Sequence, residues 1–333
     1  MITTVWTVDA ADPRHADLAE AARLLVAGDL VAFPTETVYG LGASALSGDA
    51  IDRLYAAKGR PRANPLIVHV GDLDSAKNLC ATWPDSAELL AQAFWPGPLT
   101  LVLPHGGKVS PGVTAGGPTV ALRVPAHPVA QALLRLTGIP VAAPSANTSG
   151  RISPTLPEHV LQGLDGKIAG LVSAGPCERG VESTVIDLSG EHPVLLRPGP
   201  LTPEEISQVL GIATDDLLIP AAKGTDDPEK SPGRMGRHYA PKAQVVCVAT
   251  PSEAQTWCDQ WTREGKRHAW LALEPGPGSV LLPAQPSGAL HSIYKALHKI
   301  DKDNLDHIVA VLPPAEGRWL AFRDRLLRAS LNH

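Results

Sequence analysis

Three observations predict an α/β protein in two parts. Strand and helix patterns alternate through roughly the first two hundred residues, a polar turn-rich stretch follows Gly211, and a second, shorter alternation lies beyond it. Residues 1–211 are expected to form a twisted mixed sheet with flanking helices, residues 212–243 a linker, and residues 244–333 a smaller Rossmann-like α/β domain with a parallel sheet. A chain of 333 residues is long enough for this division.

Ala19 to Ala27 reads as a helix closed by Gly28, where a left-handed residue is favoured. Leu30 to Phe33 is a short buried strand. Asp49 can cap a helix that carries Ile51, Leu54 and Tyr55 on one face and ends near Lys58, because Pro61 resists its continuation. Strands follow at Leu66–Val70, Leu99–Leu103, Val120–Val124, Val141–Ala143, Thr184–Leu188 and Val194–Leu196, with helices at Ser86–Phe94 and Val129–Leu136 between them. In the last part, strands at Val245–Ala249, Leu271–Leu273 and Ile308–Leu312 alternate with helices from Ser252, around Ser292–Ile300 and from Arg318.

Composition narrows the classes. With 44% hydrophobic and 19% charged residues the chain is an ordinary globular protein. Three Phe and four Tyr leave little with which to stack many unpaired bases, and a net charge of −5 opposes general coating of nucleic acid. Cys80, Cys177, Cys247 and Cys258 make no C-x-x-C pair and no zinc spacing, so they read as reduced structural thiols and no protein metal site is expected. The amino terminus lacks the basic and apolar regions of a signal peptide, and no apolar run approaches a membrane span. The expectation is a cytoplasmic protein without membrane contact.

The phosphate loop G-x-x-x-x-G-K-[ST], the dinucleotide fingerprint, H-E-x-x-H and G-x-S-x-G are all absent. What remains is a set of polar clusters. Pro34-Thr35-Glu36-Thr37 offers hydroxyls. Lys58, Arg60 and Arg62 follow a helix end, where they either complement its dipole or grip a polyphosphate, with Asn64 adding an amide. His69 lies in the apolar strand Leu66–Val70, where alternation puts it on one face with Ile67 and turns Val68 to the other; by itself it reads as a core histidine. Arg123, inside Val120–Val124, needs a partner, either an internal carboxylate or a substrate's. Ser145-Ala146-Asn147 follows a strand, and Gly180-Val181-Glu182-Ser183-Thr184 and Leu196-Arg197-Pro198-Gly199 lie at strand edges.

Taken in order, Pro-Thr-Glu-Thr, Lys58-x-Arg60, Asn-Pro-Leu-Ile-Val-His, Ala-Leu-Arg-Val-Pro, Ser-x-Asn, Glu-Ser-Thr-Val and Leu-Arg-Pro-Gly resemble the threonylcarbamoyl-AMP synthase family with its YrdC-like fold, over about residues 14 to 210. The linker Ser231-Pro232-Gly233 to Arg237-His238-Tyr239-Ala240-Pro241-Lys242 and the following domain resemble its long, two-domain form. The resemblance implies that L-threonine, bicarbonate and ATP, the last with Mg²⁺ carried by its phosphates, give threonylcarbamoyl-adenylate, pyrophosphate and water. A partner transferase complex then modifies tRNA beside the anticodon.

By the same resemblance Thr35, Thr37, His69, Arg123, Ala143 and Ser183 would hold threonine. ATP would fall to Lys58, Arg60, Asn64, Thr119, Ser145, Asn147, Ser153, Arg197, His238 and Tyr239, with Lys58 and Arg60 stabilising the departing pyrophosphate. The linker departs from the family pattern at Arg234 and Gly236; it is expected either to close over the site, with His238 and Tyr239 toward the nucleotide, or to be a plain tether. Two other readings stay open. One is a carbamoyl-adenylate enzyme of metallocentre maturation, whose zinc-finger modules find no match in this cysteine pattern. The other is an RNA-binding module, with weak tRNA contact as its remnant in the synthase reading.

Overall fold

The computed structural model describes residues 2–218, 239–275 and 279–330. Its larger sheet contains β1 (Thr4–Thr7), β2 (Val31–Phe33), β3 (Gly40–Ser44), β4 (Ile67–His69), β5 (Leu99–Pro104), β6 (Thr119–Arg123), β7 (Val141–Ala142), β8 (Gly170–Ser173), β9 (Thr184–Asp187) and β10 (Val194–Arg197). Their order is β1-β8-β2-β3-β7-β4-β6-β5-β9-β10, with parallel and antiparallel neighbours mixed, as the sequence predicts. The helices of this part are α1 (His15–Val26), α2 (Gly48–Lys58), α3 (Leu73–Leu79), α4 (Asp85–Phe94), α5 (Pro128–Thr137), α6 (Pro157–Leu164), α7 (Pro203–Leu210) and α8 (Thr214–Leu218).

Strand alternation sorts the side chains between two faces. Ala32, Val68, Leu122 and Ala142 point to one face, beneath Ile51, Leu54 and Tyr55 of α2 and Val160 and Leu164 of α6. Val31, Phe33, Val141 and Ala143 point to the other, where α1 and α5 pack with Leu18, Leu25, Val129 and Leu133. Farther along that second face Ile67, Val102, Ala121, Val185 and Leu196 form only a small apolar cluster. The helices therefore cover one end of this face and leave its middle for a cleft.

Local chemistry explains several boundaries. The cap of α2 is Ser47, whose hydroxyl accepts from the Ala50 amide, and not the expected Asp49, which lies two residues later inside the first turn. Gly59 then ends α2 in the left-handed region with φ 61°. The strands β1, β3 and β8 and the helices α3, α6, α7 and α8 have no counterpart among the sequence expectations, and α8 falls inside the stretch expected as linker. In β3, Gly40-Leu41-Gly42 reads as turn-forming, yet a Cβ on Gly42 would lie 2.9 Å from the Phe33 ring and 3.1 Å from Leu25 and Val141. These glycines serve close packing in a strand.

Beyond residue 239, β11 (Gln244–Val248), α9 (Pro251–Arg263), β12 (His268–Ala272), β13 (Ser279–Leu281), α10 (Pro286–Lys302), β14 (His307–Val311) and α11 (Leu320–Ser330) build the second domain. Its sheet is parallel, in the order β11-β14-β12-β13; β13 is the strand the sequence reading lacks. Cys258, Trp261 and Ala254 of α9 pack on one face, and α10 and α11 cover the other. That second core also takes in Val38, Ile152 and Val181 from the larger part, so apolar packing runs across the domain boundary. No helix among the described residues is long and apolar enough to cross a membrane.

Candidate active site

The cleft on the partly covered face has a volume of about 580 Å³, its open mouth included. Its floor is the sheet itself. Pro65, Ile67 and His69 project into it at alternate positions, while Leu66, Val68 and Val70 enter the core behind. His69 pairs in register with Arg123 on the neighbouring parallel strand β6, which sets the two side chains next to each other. The remaining wall includes Thr35 and Thr37 after β2, Ala143 and Ser145 after β7, Glu182 and Ser183 before β9, Arg197 at the end of β10, with Arg60 and Tyr239.

Arg123 has an internal carboxylate partner. Its Nη2 donates to Glu36 Oε1 at 2.7 Å and its Nε donates to the Gly97 carbonyl at 3.2 Å, with both ionic side chains about 4% exposed. A guanidinium has five N–H donors, so these two bonds do not exhaust it. Glu36 Oε2 and His69 Nδ1 are buried and have no hydrogen-bond partner among the described residues. Burial, and then the Arg123 cation, push the His69 imidazole down to about 3, so it is neutral at ordinary pH.

The threonine hydroxyls have a fixed direction. Thr35 Oγ1 donates its single proton to the Val38 carbonyl at 2.7 Å, and it lies 2.7 Å from Thr37 Oγ1. Thr37 must therefore be the donor between them, which leaves its oxygen able to accept from a bound group. Ser183 Oγ accepts from Arg197 Nη2 at 3.1 Å and lies 2.7 Å from Thr100 Oγ1; Arg197 Nε also donates to the Ser183 carbonyl.

Of Lys58, Arg60 and Arg62, at and after the end of α2, Arg60 alone lines the cleft. It donates to Asn64 Oδ1 at 2.6 Å, to the Asn64 carbonyl at 3.1 Å and to the Pro65 carbonyl at 2.8 Å, so the amide expected at a nucleotide serves here to orient the guanidinium. Burial lowers Arg60 to about 10, with Arg197 contributing repulsion, and it remains charged at neutral pH. Arg62 turns to solvent and pairs with Asp52. Lys58 is 1% exposed, and its Nζ donates to the carbonyls of Ser145 and Asn147. Burial, then the neighbouring Arg60, holds its ammonium well below the usual lysine value. Lys58 thus fixes the Ser145–Asn147 loop from behind.

The other candidates fall at different distances from this cleft. Asn64, Asn147 and Ser153 stand one layer behind its wall: Asn147 Nδ2 donates to the Thr148 and Arg151 carbonyls, and Ser153 Oγ donates to Glu182 at 2.5 Å. Thr119 begins β6, opposite Pro104, roughly 13 Å along the strand from Arg123. His238 lies outside the described residues. Tyr239 is 4% exposed, with φ +64°, on the cleft wall.

Glu182 lines the wall and Glu36 stands behind it on Arg123, and the sequence motifs that contain them assign neither a role. A carboxylate between Val181 and the strand Thr184–Asp187 signals a buried charge in need of partners, but nothing local tells which. Besides Ser153, two of those partners come from the second domain. Tyr294 Oη donates to Glu182 Oε2 at 2.8 Å and Arg325 Nε at 3.0 Å. Among the described residues no group of three or more His, Cys, Asp or Glu side chains gathers.

Comparison with known proteins follows the same two parts. The sequence model of the family described as Telomere recombination matches residues 23–199, and the one described as threonylcarbamoyl-AMP synthase, C-terminal domain, matches residues 201–330. The chain is 43% identical to the threonylcarbamoyl-AMP synthase of Bacillus subtilis, covering 99% of this chain and 98% of that protein. It is also 43% identical to the protein of that name from Pyrococcus abyssi, over 93% of each. The crystal structure of P. abyssi Sua5 complexed with L-threonine superposes with a TM-score of 0.91 at 40% identity, covering 98% of both chains. On these matches, which span both domains, the chain belongs to the threonylcarbamoyl-AMP synthase family.

Proposed function

We propose that this protein joins L-threonine, bicarbonate and ATP into L-threonylcarbamoyl-AMP, releasing pyrophosphate and water, and that a transferase complex consumes the product in modifying tRNA beside the anticodon. The observation that carries the reading is one cleft whose lining brings Arg123, His69, Thr37 and Ser183 together with Arg60, Ser145, Arg197 and Tyr239. We assign the first four to a threonine end and the second four to a nucleotide end, the two meeting where Arg197 Nη2 donates to Ser183 Oγ.

At the first end the Arg123 guanidinium takes the threonine carboxylate as a charge-assisted bond. Thr37, its own proton committed to Thr35, accepts a hydrogen bond from the substrate's ammonium or hydroxyl. Burial and the Arg123 cation hold His69 at about 3, far below an amine, so the ammonium proton does not pass to it. That gap is too large for a general base, and His69 acts by orienting the substrate through Nδ1. The threonine amine attacks the bicarbonate carbon, water leaves, and the carbamate oxygen attacks the α-phosphorus of ATP as pyrophosphate departs.

At the second end burial lowers Arg60 to about 10, and Arg197 adds repulsion to its charged form. A polyphosphate relieves that repulsion, and the pyrophosphate leaving group relieves it most. Mg²⁺ would come on the ATP phosphates, where it neutralises charge, and no step here depends on a protein ligand to it. Positioning and electrostatics supply the acceleration.

The test is pyrophosphate release from ATP by purified protein, with L-threonine and bicarbonate each added or withheld. Release that needs both, with the new adenylate seen by mass spectrometry, is expected. Release indifferent to threonine would overturn the substrate assignment, and no release would overturn the reaction.

A further inference from the structure

The second domain reaches the cleft through one buried carboxylate. Glu182 on the cleft wall is 6% exposed, and its two oxygens accept three bonds: Oε1 from Ser153 Oγ, and Oε2 from Tyr294 Oη and Arg325 Nε. Tyr294 belongs to α10 and Arg325 to α11, and both are fully buried. The Arg325 guanidinium also lies 4.9 Å from the ring centre of Tyr239, and the Tyr294 ring lies 5.8 Å from it. From the same helix as Tyr294, His298 Nε2 sits 3.0 Å from the Ser153 carbonyl.

Adhesion between domains does not account for this arrangement. Apolar residues already join the two parts, and exchanging a buried ion pair for apolar side chains is commonly neutral or stabilising. What the charged group adds is direction: it orients a carboxylate and an aromatic ring that both line the cleft. Glu182, with three donors on it, stays ionised and is no proton acceptor. Burial raises its carboxyl, but Arg325, Arg197 and the Ser153 hydrogen bond together with the backbone hold it below the usual range.

We propose that Arg325 and Tyr294 are positioning residues for the reaction, holding Glu182 and Tyr239 on the cleft wall so that chemistry in the first domain depends on the docked second domain. The proposal rests on the synthase reading. Because Tyr239 and Ser153 fall on the side assigned to the nucleotide, the dependence should appear in ATP affinity.

The experiment uses the full chain and the variants Arg325→Met, Arg325→Lys and Tyr294→Phe. His291→Ala serves as control, because its Nδ1 lies 2.6 Å from the Glu178 carbonyl across the same domain boundary without touching the cleft wall. Arg325→Met is expected to raise the KM for ATP about tenfold while the KM for L-threonine moves less than about threefold, with Arg325→Lys between it and wild type and His291→Ala unchanged. A second readout needs no turnover. The chain has four tyrosines, and with 3-fluorotyrosine the Tyr239 resonance, assigned through Tyr239→Phe, reports solvent access by its shift between H₂O and D₂O. Arg325→Met should expose Tyr239 while Tyr39 and Tyr55 stay shielded.

Wild-type KM values together with a shielded Tyr239 would overturn the proposal and leave the ion pair as interdomain adhesion. If Arg325→Met does not fold, Tyr294→Phe, which removes one hydroxyl, decides by the same two readouts. If wild-type protein releases no pyrophosphate, the synthase reading falls and the fluorine readout alone decides the positioning.

Discussion

Arg123 has two candidate duties, neutralising Glu36 and binding a substrate carboxylate, and a four-cornered mutant cycle separates them. Arg123→Met leaves the Glu36 carboxylate, 4% exposed and with Oε2 already unpartnered among the described residues, without its counter-charge. Breaking a buried pair from one side costs about 3–5 kcal/mol. Adding Glu36→Gln removes the stranded charge, so the double variant should recover most of that loss and sit within about 2 kcal/mol of wild type. Threonine binding should behave differently. A charge-assisted bond contributes about 1.5–3 kcal/mol, so both variants lacking Arg123 should bind L-threonine about ten- to a hundredfold more weakly, whatever their stability. Urea unfolding followed by tryptophan fluorescence gives the first quantity and titration calorimetry the second. If the double variant binds threonine like wild type, Arg123 serves Glu36 alone and the carboxylate assignment is wrong. If Arg123→Met alone loses less than about 1 kcal/mol, the burial argument is wrong.

Four further outcomes follow. His69 is depressed from 6.5 to about 3 in the folded chain, so between those values the unfolded chain binds a proton that the folded chain does not; stability is full above pH 6.5 and falls on acidification. At pH 5 the loss is about 2 kcal/mol, and His69→Gln should abolish that part of the difference between pH 7.5 and 5 in denaturant titrations. Gly180 has φ +72°, and a Cβ there would lie 2.3 Å from the His291 carbonyl, so Gly180→Ala should cost more than the about 1–2 kcal/mol of left-handed strain and lower the unfolding temperature. Lys58→Met strips donors from the Ser145 and Asn147 carbonyls, at about 1–3 kcal/mol each, and should raise the KM for ATP as the loop shifts; unchanged kinetics would refute the loop-clamp role. Under the proposed function, competition assays should show valine rejected far more strongly than serine, whose missing methyl group accounts for only about 1–3 kcal/mol.

The sequence by itself determined the strands that alternate apolar and polar residues, because their two-residue period shows directly which face is buried. Ile67 and His69 on the cleft side with Val68 in the core is the plainest case. It also placed the break at Gly28, where a left-handed backbone is needed and only glycine adopts it without strain, and the end of α2 near Lys58. Short strands such as Gly40–Ser44 escaped, since glycines that permit close packing look the same in sequence as glycines that permit turns. The site residues were legible as polar groups stranded among apolar ones, each of which demands a partner. Who the partner is was decided only by tertiary structure. Glu36 meets Arg123 from 87 positions away and Glu182 meets Arg325 from 143, pairings fixed by sheet order and domain docking that no local pattern encodes. Even so, Arg325 betrays itself by spacing, three residues after Phe322 and four before Ala329 on the apolar stripe of α11. Helical period tells that such a charge is buried; only the folded chain, by bringing a distant carboxylate within 3.0 Å, makes that burial tolerable.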